Sequence, residues 1–123
     1  MADKLDQIFV LQSELNARVA VPSEMSEQER IEWILKFARA LNQECAELVD
    51  CVPWKWWAKY QSFNQQNARV EVIDLLHCVI SIAQTLGMSS TDLFEAYLKK
   101  HDVNMLRQQS GYEKRDQTDS AHI

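Results

Sequence analysis

The chain has 123 residues, the length of one domain with room for a hydrophobic core. With Gly 2 and Pro 2 it lacks the turn residues that strands and hairpins need, so an all-α fold is expected. Hydrophobic residues at 46% mark a folded chain, and a formal net charge of -5 argues against the basic stripe of a nucleic-acid binder while leaving a nucleotide substrate open.

Cys45, Cys51 and Cys78 lack Cys-x-x-Cys spacing and lie in apolar helical patterns. Buried free thiols in a reducing cytoplasm are expected, and a zinc site is not. Asp3, Lys4 and Asp6 interrupt any apolar run near the N-terminus, so no signal segment is expected. No apolar stretch reaches the roughly 20 residues needed to span a bilayer, so no membrane partner is expected either.

In chain order, the spacing of Leu5, Ile8, Phe9, Leu11, Leu15 and Val19 predicts a first helix over 3–20. Gln12 and Asn16 fall one turn apart beside its apolar side, where solvent-facing amides are the ordinary reading. Pro22 ends the helix, and Ser26 with Glu29 makes a capping box for the next. The second helix is predicted over 27–51, with Ile31, Ile34, Ala38, Leu41, Cys45, Leu48 and Val52 as its seam. Glu44 and Glu47 lie beside that seam, at the edge of the core, where a carboxylate needs a partner or a metal.

Pro53 stops this helix, and Trp54, Lys55, Trp56 and Trp57 form a corner. Either the indoles plug the end of a bundle, or they form a wall for a planar base while Lys55 reaches a phosphate. A polar connector over 60–67 precedes a third helix over 68–86, apolar at Val72, Ile73, Leu76, Val79, Ile80, Ala83 and Leu86. Glu71, Asp74, His77 and Ser81 form one narrow polar strip along it. A solvated charged face is a poor account of that strip, because within this helix no Lys or Arg follows Arg69 to balance it.

Gly87 suits a C′ position, and Ser89 or Ser90 caps a fourth helix ending near His101 or a little beyond. Leu93, Phe94, Tyr97 and Leu98 are its apolar side. The pattern fades after Met105, so residues 1–112 are expected to form the domain and 113–123 a frayed polar tail.

Residues three apart on a helix share a face, so Glu44 with Glu47 and Glu71 with Asp74 each present paired carboxylates. Facing one another, the two pairs make an oxygen-rich pocket suited to a hard cation such as Mg²⁺. Two or more ions there would clamp a polyphosphate and lower the pKa of a bound water, with Glu44 or Glu47 taking the proton. A di-iron carboxylate site is the competing use, but it wants Glu-x-x-His pairs that this sequence lacks.

With these residues assembled, the chain resembles the MazG-like nucleoside triphosphate pyrophosphohydrolases, whose hallmark is Glu-x-x-Glu followed by Glu-x-x-Asp on the next core helix. Its dimeric dUTPase branch matches more of the sequence. LQSELN at 11–16, ECAELVDCVPWKWW at 44–57, RVEVIDLLHCVIS at 69–81 and KKHDVNMLRQQSGY at 99–112 look like that branch's segments, in the same order. The chain is shorter than the longer members of the branch, and its 58–68 linker is short.

The resemblance implies a four-helix-bundle-like core completed by homodimerisation, with a tetramer as the other compact assembly. It implies Mg²⁺, or Mn²⁺ in its place, held by Glu44, Glu47, Glu71 and Asp74. Gln12, Asn16, Trp57 and His77 would surround the uracil and deoxyribose, and Lys55, Lys100, Asn104 and Arg107 the phosphates. The implied reaction is hydrolysis of dUTP, and of dUDP, to dUMP. The rival readings are a pyrophosphohydrolase for another nucleotide, such as dCTP or a modified base, and a non-catalytic helical interaction module.

Overall fold

The computed structural model describes residues 2–111 and 118–123. Four α-helices and one short 3-10 turn account for the described residues, with no strand among them. The fold is all-α. The chain divides into two compact units, residues 1–87 and 88–123.

The first unit holds α1 (Lys4–Arg18), α2 (Glu27–Asp50) and α3 (Gln65–Thr85). Asp3 and Asp6 form a capping box at the start of α1. Its end comes two residues earlier than the apolar pattern suggests. Ala20 adopts φ 66°, a left-handed conformation that lets the Val21 N–H turn back onto the Asn16 carbonyl at 3.0 Å. Ser26 and Glu29 cap α2 reciprocally, as their spacing predicts.

The start of α3 lies upstream of Ala68, inside the stretch read as a connector. Asn64 is its N-cap, accepting from the Asn67 N–H, while the Asn64 N–H donates to the Cys51 carbonyl at 2.8 Å. Asn67 also donates to Cys51 Sγ at 3.1 Å. Cys51, buried at the end of α2, thereby ties the two helices together across the corner. Cys78 is half-buried but Cys45 is exposed, contrary to the expectation of three buried thiols. The reason is angular: Glu44 takes the inward position on α2, and its neighbour Cys45 is turned outward.

α3 packs along α2 and more lightly against α1. The face it turns inward carries the two ends of the polar strip: Glu71 and Ser81 are buried, with Ile80, Ala83 and Thr85, while Asp74 is half-buried and His77 exposed. Its apolar side is left open, with Val72 and Ile73 53% and 52% exposed and Val79 and Leu86 also exposed. α1 does the same. Phe9 and Gln12 are its buried residues, while Ile8, Leu11, Leu15 and Val19 face out. This chain by itself therefore buries a polar seam and exposes several apolar stripes.

The second unit holds α4 (Ser90–Gln109) and a 3-10 turn, Asp119–His122. Ser89, not Ser90, is the N-cap, in a box with Asp92. α4 runs well past His101, because no breaker intervenes before Gly111, whose φ is 89°. Of the expected frayed tail, residues 113–117 lie outside the described residues. The 3-10 turn beyond them is tied down, because Asp119 pairs with both Lys100 and Arg107.

Candidate active site

Glu44 and Glu47 come from the last two turns of α2, and Glu71 from the second turn of α3. One oxygen from each lies within 4.8 Å of the other two. Two of these carboxylates carry an orphan: Glu44 Oε2 and Glu71 Oε2 are buried from solvent without a hydrogen-bond partner. A buried acceptor left bare costs about 1–3 kcal/mol, and more when it is charged, so such atoms are rare unless something else satisfies them.

The same crowding raises the Glu44 carboxyl from its ordinary value to about 7. Hydrogen bonding with Glu47 is the largest cause, then hydrogen bonding with Glu71, burial, and the charges of Glu47 and Asp74. Asp74 thus adds its charge to this pocket from one turn along α3, though it stands outside the three-carboxylate cluster. Cys78 forms part of the surroundings. Burial first, and then the charges of Glu44, Asp74 and Cys45, push its thiol up.

Three carboxylates with two bare buried oxygens fit a hard divalent cation. Mg²⁺ binds oxygen at about 2.1 Å, so two of its ligand oxygens stand at most about 4.2 Å apart, close to the span of this cluster. A single cation would answer both the orphaned oxygens and the mutual repulsion.

Further along α3 the inward strip changes character. His77 Nδ1 lies 2.6 Å from Gln12 Oε1, Gln12 Nε2 donates to Asn16 Oδ1 at 3.0 Å, and Asn16 Nδ2 donates to Ser81 Oγ at 3.1 Å. Gln12 and Asn16 are therefore not solvent-facing amides; they form, with Phe9, the face that α1 turns to α3. Next to this group opens a cavity of about 390 Å³, lined by Asn16, Ser81, Ser13, Gln84, Arg30 and Thr85 among others. Its walls are fixed by polar ties. Gln84 donates to the Phe9 carbonyl at 2.9 Å and to Ser13 Oγ at 3.0 Å, and Arg30 Nε donates to the Thr85 carbonyl at 3.0 Å.

Lys55 and Trp57 sit in the turn after α2. Trp57 meets Trp54 and Trp56 edge-on, at centroid distances of 5.9 and 4.5 Å, and remains 59% exposed. Lys55 Nζ lies 5.5 Å from the Trp54 ring centroid. The turn is held by a residue that sequence reasoning missed. The Gln61 side chain accepts from the Lys55 N–H at 3.1 Å and donates to the Lys55 carbonyl at 2.6 Å. Only the amide-rich composition of 60–67 hinted at such a role. Arg30 and Gln84 were also missed, since a lone polar residue on a helix carries no signal of what it will face.

In the second unit Lys100, Asn104 and Arg107 follow one another at helical spacing along one side of α4. Lys100 and Arg107 both engage Asp119, the latter at 2.9 Å, and Arg107 reaches Asn104 at 3.5 Å. The Lys100 ammonium, followed by the Arg107 guanidinium, holds the Asp119 carboxyl below its usual range. Three groups of predicted residues thus emerge: the carboxylates, the amide–histidine chain, and the cationic side of α4. Trp57 and Lys55 form a fourth, at the corner.

Two comparisons, with curated proteins and with solved structures, give no match. A third does. The model of a protein family described as dUTPase matches residues 4–89 and 78–112, which takes in every candidate site residue named above.

Proposed function

The chain belongs to the dUTPase family, and we propose that it hydrolyses dUTP, and dUDP, to dUMP with the help of Mg²⁺. The observation that carries this reading is the pair of orphaned buried oxygens on Glu44 and Glu71, inside the segment that matches the family. A module that merely presented an acidic surface to a partner would have no reason to bury them.

Glu44, Glu47 and Glu71, joined by Asp74, would hold the Mg²⁺. When bound, the ion draws charge from the phosphate oxygens and makes the attacking water more acidic. Glu44 or Glu47 takes a proton from that water as its oxygen forms a bond to phosphorus. The bond to the bridging oxygen breaks, and pyrophosphate leaves dUTP, or phosphate leaves dUDP. Gln12, Asn16 and His77 hold the uracil and deoxyribose, and Trp57 offers a ring face to the base. Lys55, Lys100, Asn104 and Arg107 bind phosphate, which in the case of Lys100 and Arg107 replaces the exposed Asp119 carboxylate as their partner. A cavity of about 390 Å³ beside Asn16 is within the usual range for a small-molecule site.

Homodimerisation is part of the same proposal. The apolar sides of α1 and α3, exposed in the single chain, support it, since a monomer rarely leaves such stripes to water. Hydrolysis of each dNTP, followed by pyrophosphate release with Mg²⁺ and with EDTA, tests the function. Turnover of dUTP far above that of dTTP and dCTP, abolished by EDTA, is the expected result. Equal rates on dUTP and dTTP would leave a general pyrophosphohydrolase, and no release from any nucleotide would leave an interaction module.

A further inference from the structure

Four side chains on α1 and α3 form a closed circuit of hydrogen bonds that begins and ends on His77. Ser81 Oγ lies 2.7 Å from the His77 backbone carbonyl, which can only accept, so the single hydroxyl proton is committed there. Toward Asn16, 3.1 Å away, Ser81 must therefore accept, and the group facing it is the Asn16 NH₂. The Asn16 carbonyl then faces Gln12 at 3.0 Å, whose NH₂ donates. The Gln12 carbonyl in turn faces His77 Nδ1 at 2.6 Å, so Nδ1 carries the proton. One backbone carbonyl sets the direction of the whole circuit. Gln12 and Ser81 are only 4% and 2% exposed, which keeps water from competing at those two links.

Neutral His77 then has a bare lone pair at Nε2, on a side chain that is exposed. Along its pairing edge uracil presents carbonyl, N–H and carbonyl; cytosine presents carbonyl, a bare nitrogen and an amino group. The Nε2 lone pair can accept from the N–H of the first edge, and it meets lone pair with lone pair at the bare nitrogen of the second. We propose that Ser81 is a positioning residue that fixes the His77 tautomer and, through it, the preference for uracil over cytosine. This rests on the reading of the amide–histidine chain as the base pocket. Ser81 acts without touching the base. Were the circuit reversed, with Ser81 donating to Asn16, every amide would flip and Nε2 would become the donor.

The tautomer is read by ¹⁵N NMR of His77 in the nucleotide-free protein with Mg²⁺ at about pH 8. The expected result is a single form protonated at Nδ1. Ser81→Ala releases the direction, so the Nε2-protonated form rises to a comparable population, and Ser81→Thr restores the parent spectrum. In parallel, the ratio of kcat/KM for dUTP over dCTP falls roughly tenfold in Ser81→Ala and recovers in Ser81→Thr. The dUTP over dTTP ratio stays unmoved, because thymine has the same pairing edge; a general loosening of the pocket would shift both. If Ser81→Ala does not fold, Ser81→Cys, a weaker donor of similar shape, takes its place. An Nε2-protonated His77 in the parent protein, or the same tautomer with and without the Ser81 hydroxyl, overturns the proposal. A tautomer change with an unmoved dUTP over dCTP ratio overturns the selectivity role. A chain that fails to hydrolyse dUTP defeats the functional reading instead, and the nucleotide-free spectrum tells the two failures apart.

Discussion

The inward strip of α3 has two ends, and they solve the burial of polar groups in opposite ways. At Ser81 and His77 every link has a partner supplied by the chain, and the circuit closes on itself. At Glu71, facing Glu44 and Glu47, like charges crowd and two oxygens have no partner. The first end is complete as folded and rigid, which suits recognition of a base by fixed donors and acceptors. The second leaves two buried acceptors that a cation would satisfy. On the proposed reading, neighbouring stretches of one helix separate into a part that would select a base and a part that would hold a cation against a nucleotide's phosphates.

The largest test of this contrast is a charge-neutral replacement at the crowded end. Glu71→Gln keeps the shape and removes one charge, so turnover of the dUTPase reaction should fall by about a thousandfold or more. The metal-free protein should melt no lower than the parent, since a repulsion has gone. A variant that lost activity only by unfolding would remove the contrast.

A smaller effect concerns stability against pH and Mg²⁺. The Glu44 carboxyl is raised in the folded state, so folded protein binds a proton that the unfolded chain has released between its ordinary value of 4.5 and about 7. Stability from this group is complete below the ordinary value and is lost as pH rises through about 7. Metal-free melting curves should therefore fall in temperature across that window. Near pH 8, Mg²⁺ at about a hundred times its Kd should restore roughly 2.7 kcal/mol. Melting that ignores both pH and Mg²⁺ would count against the site.

The smallest effect belongs to the satisfied end and has the opposite sign. Gln12→Ala breaks the circuit twice, leaving the Asn16 carbonyl and the His77 Nδ1–H without their partner. It should destabilise the metal-free protein by about 1–3 kcal/mol in denaturant titration, where Glu71→Gln does not. Equal destabilisation by both substitutions would mean that the two ends are not different in kind.

Much of this was legible in the chain. Period and caps placed α2 closely, because Ser26, Glu29 and Pro53 are local signals that act within a turn of themselves. The boundaries that shifted did so for non-local or conformational reasons. Asn64 caps α3 with its backbone tied to Cys51, Ala20 takes a left-handed turn usually left to glycine, and α4 meets no breaker before Gly111. The acidic strip was visible from Glu44, Glu47, Glu71 and Asp74 because helical spacing alone puts paired carboxylates on a face. Which face turned inward was not visible. Hydrophobic periodicity favours the apolar side of α1 and α3, yet in the single chain Gln12, Glu71 and Ser81 are buried beside Phe9, Ile80 and Ala83, while Leu11, Val72 and Ile73 face out.

The sequence by itself determined the all-α class, the helices, and the four carboxylates with their resemblance to a hydrolase family. These depend on contacts within a few residues along the chain, and spacing encodes them. Only the tertiary structure decided that Glu44 meets Glu71 with bare oxygens and that Ser81, through Asn16 and Gln12, orients His77. Those partners lie many residues apart, and their hydrogen bonds have direction. The direction itself is set locally, by the Ser81 hydroxyl on the carbonyl one turn back, but that α1 stands opposite to carry it on to His77 is a fact that no periodicity records.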